Sequence, residues 1–126
     1  MGEMIVLCPR EAVHCDLERF SETAMRRVQD QGLESWDAFL DDLGVAFDRL
    51  AVAYRESRFD EVARQARWLA DQAHALGLNR LFRVCRHVVA LSHGHDVAAL
   101  AANVTRLIRL GDQVVSVGWQ QQDARY

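Results

Sequence analysis

Phe59-Asp60-Glu61-Val62-Ala63-Arg64-Gln65-Ala66-Arg67-Trp68-Leu69-Ala70-Asp71-Gln72-Ala73-His74-Ala75-Leu76-Gly77 is the stretch on which the fold class turns. Step along it at about 100° per residue, with Arg67 at zero. Val62, Ala66, Leu69, Ala73 and Leu76 then gather on the far side. Asp60, Arg64, Arg67, Asp71 and His74 fall within about 60° of zero. One side is an apolar stripe for a core, the other a charged stripe for solvent, which predicts a helix over about Phe59 to Leu76. Asp60 and Glu61 suit its positive end, and Gly77 suits the left-handed residue that stops it. On the charged side, Asp60–Arg64 and Arg67–Asp71 have the four-residue spacing of helical ion pairs.

The same periodicity spreads in both directions. Ser35 is a good N-cap for a second helix running to about Glu56, with Trp36, Phe39, Leu40, Leu43, Phe47, Leu50 and Tyr54 on one stripe and Gly44 as its one weak position. Before it, Leu17, Phe20, Ala24 and Val28 mark a first helix that starts between Glu11 and Asp16 and is closed by Gly32. After Gly77, Asn79 is read as the cap of a fourth helix carrying Leu81, Val84, Cys85 and Val88. Asp96 opens a fifth, with Val97, Leu100, Ala101, Val104, Leu107 and Ile108 on its apolar side. Residues 1–9 read as an extended or irregular segment ending at Pro9, residues 10–118 as one helical domain, and residues 119–126 as a polar tail. Long amphipathic helices with short connections favour antiparallel neighbours. The predicted fold is therefore all-α: an up-down four-helix bundle with an additional N-terminal helix.

Composition sets the outer limits. The chain has 126 residues, half of them hydrophobic and 26% charged, which is one ordinary globular domain. Its net charge is −3, and its arginines (there is no lysine) are interleaved with Asp and Glu. That pattern gives no basis for nucleic-acid binding. No apolar run approaches the roughly 20 residues of a membrane span, and Met4–Leu7 is too short for a signal peptide. The three cysteines, Cys8, Cys15 and Cys85, do not form a disulfide framework. The expected compartment is the cytoplasm, with reduced thiols.

Ala66-Arg67-Trp68-Leu69-Ala70-Asp71-Gln72-Ala73-His74-Ala75-Leu76-Gly77 resembles the motif of histidine-phosphotransfer (HPt) domains, A-H-x-L-K-G-x-A-x-x-L-G. The Ala, Leu, Ala, Leu and Gly skeleton is in register, and Leu81 and Cys85 stand where family members continue with Leu and Cys. The resemblance covers about Trp36 to Leu110. It implies an HPt-like bundle and a partner from phosphorelay signalling: a response-regulator receiver domain or a histidine kinase.

Three departures fall on the chemistry. Arg67 stands where the family has its phospho-accepting histidine, Ala70 where it has lysine, and Asp71 where it has glycine. Phosphoryl transfer needs a neutral imidazole lone pair, and a guanidinium stays protonated and offers none. Ala70 cannot steady a phosphoryl group, and Asp71 adds bulk and negative charge beside it. No catalytic residue is expected, and the chain is expected not to be an enzyme. The candidate partner-binding residues are Arg64, Arg67, Trp68, Asp71, His74 and Ala75, a face flattened by Ala70 and Ala75. Two alternatives stand beside this: a working phosphotransfer protein that uses a non-standard histidine such as His74, and a structural helical bundle outside phosphorelays. His87, His93 and His95 are too sparse for a metal site, and no cofactor is expected. Cys85, on an apolar stripe, reads as a small buried hydrophobe.

Overall fold

The computed structural model describes the backbone of residues 2–123 and the side chains of residues 16–120. Five helices account for nearly all of it: α1 (Gly2–Gln31), α2 (Leu33–Arg55), α3 (Phe59–Ala75), α4 (Asn79–Ser92) and α5 (Val97–Asp123). There is no strand among the described residues, and no helix there is long and apolar enough to cross a membrane.

Both termini differ from the sequence expectation. Residues 2–9 belong to α1 and are not extended, so Pro9 lies within a helix instead of ahead of one. Pro9 is the eighth residue of α1, so it withholds the N–H that would otherwise bond the Ile5 carbonyl. At the other end α5 runs on to Asp123, so most of the expected tail is helical. Trp119 packs against the core. Residues 124–126 lie outside the described range, as do the side chains of Cys8 and Cys15.

The turns follow from local hydrogen bonding. Gly32 (φ +92°) ends α1, its N–H donating to the Val28 carbonyl at 2.9 Å. Helix α2 restarts at once, so Ser35 falls inside its first turn and is not the cap. The next two reversals share one pattern. At the end of α2, Ser57 N–H donates to Tyr54 and Arg58 N–H to Ala53; at the end of α3, Gly77 N–H donates to His74 and Leu78 N–H to Ala73. The left-handed position is Ser57 (φ +57°) in one and Gly77 (φ +74°) in the other. Helix α4 also starts without the expected cap. Leu78 holds the cap position with no side-chain hydrogen bond, and Asp16 of α1 reaches across to accept from the Arg80 N–H at 3.1 Å. Helix α5 starts as expected, with Asp96 Oδ1 accepting from the Ala99 N–H at 3.0 Å.

Helix α3 lies against α4 most extensively and against α2 on its other flank; α2 and α4 each also touch α5, and α1 packs on α5, α2 and α4. The predicted stripe of α3 is the buried one: Val62, Ala66, Leu69, Ala73 and Leu76 are all in the core. Ala63 and Ala70 join them, so α3 turns four alanines inward and lets its neighbours approach closely. Phe20, Leu40, Leu43, Leu50, Leu69 and Leu107 are fully buried, each contributing about 1.5–3 kcal/mol by leaving water.

Candidate functional site

The exposed side of α3 is the candidate site. Arg64, Arg67, Asp71, His74 and Ala75 are exposed and Trp68 is at the margin, 36% exposed. The register of the helix therefore presents all six residues to solvent, while Ala70, expected to flatten this face, is buried instead. Its position at the edge of the polar stripe is covered because α3 has a neighbour on each flank.

The six residues do not form one cluster of mutual contacts. Four of them are turned toward three different surroundings. Arg67 leans toward the connection between α4 and α5, its Nη2 lying 3.5 Å from His93 Nε2. His74 lies over Phe82 of α4, ring centroids 5.3 Å apart and tilted by 45°, and Arg86 approaches the same phenyl ring, 5.7 Å from its centroid. Arg64 and Trp68 face the other way and line a groove of about 370 Å³ against α2, with Asp42, Val45, Ala46, Arg49 and Gln65.

The expected ion pairs rearrange. Arg64 binds Glu61 three residues back, with Nη2 2.7 Å from Oε1, instead of Asp60. Gln65 Nε2 donates to the same carboxylate at 2.9 Å. The Arg64 hydrogen bond, followed by that of Gln65, holds the Glu61 carboxyl below its ordinary range. Arg67 makes no ion pair with Asp71 among the described residues; its guanidinium turns instead to the imidazole of His93. Phe82, Arg86, His93 and the α2 side of the groove are thus neighbours of the candidate residues that the α3 sequence alone does not reveal. Their signal lay in spacing across helices, which a single helical wheel does not contain.

The exposed groups of this face are hydrogen-bond donors and acceptors around one indole. The Arg67 guanidinium has donors and no lone pair, so it can bind carboxylate or phosphate oxygens and cannot attack phosphorus. Planar cation and half-exposed tryptophan are the residue types that dominate binding energy when a partner covers them. The buried thiol of Cys85 offers no second centre, because desolvation pushes its pKa up to about 12. Among the described residues no group of three or more His, Cys, Asp or Glu side chains is placed to hold a metal ion. His87, His93 and His95 are each exposed. No protein-family model matches the chain, and searches of curated proteins and of solved structures return no match to it.

Proposed function

We propose that this chain is a phosphorelay signalling module of HPt-like type that does not itself carry a phosphoryl group, and that it binds a receiver domain or a histidine kinase and regulates it. In this reading α2–α5 form an up-down four-helix bundle and α1 is an added N-terminal helix. Arg64, Arg67, Trp68, Asp71, His74 and Ala75 meet the partner. The protein acts by occupying the partner's phosphotransfer surface, through competition or by holding partners together.

One observation carries the proposal. Arg67 stands exposed on α3 at the position where the resemblance calls for a nucleophilic imidazole, within a motif skeleton whose Ala66, Leu69, Ala73 and Leu76 are all buried as a core stripe. The scaffold of the motif is kept while its reactive atom is exchanged for a fixed cation.

Calorimetry of the full chain against the receiver domains of its source organism tests this. At least one receiver should bind, and Arg67→Ala or Trp68→Ala should weaken that binding by about tenfold or more. Absence of binding to every receiver and kinase removes the reading. Incubation with a phosphorylated receiver should leave the chain unlabelled. Acid-labile label that disappears in His74→Ala or His93→Ala would establish the working-phosphotransfer alternative in its place.

A further inference from the structure

The groove between α2 and α3 carries an acidic and a basic side chain of α2 on either side of an apolar stretch. Asp42 lies at one end, Val45, Ala46 and Trp68 in the middle, and Arg49 with Arg64 at the other end. Val45 is 45% exposed and Trp68 36%, an uncovered apolar centre on an otherwise charged surface. Asp42 and Arg49 are two turns apart on the same side of α2, separated by about 10 Å along the axis, too far to meet each other. Neither enters an ion pair among the described residues. Arg64 is tied to Glu61, yet its side chain remains 72% exposed.

We propose that this groove is the contact surface for a second copy of the chain, related by a two-fold axis passing beside Val45 and Ala46. The charge order supplies the reason. Asp42 and Arg49 are equally distant from the midpoint between Val45 and Ala46, three and a half residues to either side. A two-fold axis lying outside α2, perpendicular to it and level with that midpoint, lays a second α2 antiparallel against the first. Asp42 of each copy then faces Arg49 of the other, while Arg64, paired with Glu61, brings hydrogen-bond donors and no net charge to that end. The same rotation brings Val45 to Val45 and Trp68 beside Trp68, which covers the exposed apolar centre. An isologous contact requires a surface complementary to itself, and a line running from acid through apolar to basic has that property. A partner of uniform charge would meet one end of the groove favourably and the other unfavourably. The inference stands without the signalling reading. Arg64 and Trp68 serve both surfaces, so self-association would cover part of the proposed receiver-binding face.

Sedimentation of the full chain from about 1 μM to about 1 mM is the test. The parent chain should shift from monomer to dimer with concentration; a single monomer at every concentration overturns the proposal. Asp42→Arg or Arg49→Asp alone should raise the dissociation constant by about tenfold or more. An equal mixture of the two variants should recover association close to that of the parent, because each mixed pair restores both contacts. Variants that stay as weak together as apart refute the two-fold arrangement. A second measurement does not depend on charge. With Cys8 and Cys15 changed to Ser, Val45→Cys beside the axis should give an interchain disulfide on mild oxidation, and Asp60→Cys should not. Equal cross-linking at both positions also overturns the proposal. Receiver binding is read separately by calorimetry, so failure of one proposal is not failure of the other.

Discussion

Helix α2 is flanked by α5 and by α3, and the two seams are built in opposite ways. Toward α5 the backbone has been stripped bare. Gly111 and Gly118 face the Phe47 ring and Leu40, and the Trp36 indole N–H donates to the Gly118 carbonyl at 3.4 Å in the buried interior. A Cβ on Gly111 would come within 2.6 Å of the Phe47 ring. Toward α3 the side chains stop short of each other, leaving a groove bordered by Asp42, Val45, Arg49, Arg64 and Trp68. One seam is closed by removing atoms; the other is left open with apolar and charged groups at its rim. Tight seams hold a fold together, and open seams with exposed Trp and Arg are where a second molecule can gain energy.

The largest expected effect separates these two descriptions at the sealed seam. Gly111→Ala gains helix propensity but drives a methyl into a buried aromatic ring, and it should destabilise the protein by about 1–3 kcal/mol. Urea unfolding measures it. Phe47→Leu in the same chain should recover part of the loss, so that the double variant is more stable than the two single effects predict by addition. Full additivity would mean that the ring and the glycine are not in contact.

A second glycine sharpens the contrast by sign. Gly44 also lies inside a helix, on α2, and a Cβ there meets nothing within 4 Å. Gly44→Ala should stabilise the protein by about 0.5–1 kcal/mol, the ordinary cost of glycine in a helix interior. The same substitution thus moves thermal midpoints in opposite directions at positions 44 and 111. A loss at Gly44 would show that α2 is closely packed there as well.

How far this was legible depends on whether the signal is local. The helical period of Val62, Ala66, Leu69, Ala73 and Leu76 told which side of α3 is buried, because burial on one face repeats along one helix. Gly77 was readable as a left-handed stop because glycine is the residue that occupies such positions freely. Ser57 makes the same turn and was not readable, since serine carries no preference for it and meets a cost of roughly 1–2 kcal/mol. The start of α4 misled for another reason. Asn79 is a good cap by type, but the acceptor for the Arg80 N–H comes from Asp16, 64 positions earlier in the chain. Gly111 and Gly118 gave no warning either, because their role is set by Phe47 and Leu40 on a different helix. At the site, exposure of Arg67, Asp71 and His74 followed from the wheel. The companions His93 and Phe82 did not, because they are supplied by neighbouring elements.

The smallest expected effect lies at the open seam and concerns charge alone. Glu61 accepts from Arg64 and Gln65, and these bonds hold its carboxyl below the ordinary value of 4.5. A depressed folded-state value means that the folded chain binds its proton less readily than the unfolded chain does. The stabilisation is then complete above the unfolded-state value and fades as the pH falls through the folded-state value. A carboxyl NMR titration of Glu61 should show its midpoint below 4.5, and Arg64→Gln should move that midpoint upward, because the largest contribution is the Arg64 hydrogen bond. Because the Arg64 side chain is 72% exposed, added salt should also reduce the depression, whereas a buried pair would be little screened. A midpoint insensitive to both changes would mean that the α3 side of the seam is closed, and the contrast between the two flanks of α2 would then rest on the glycines alone.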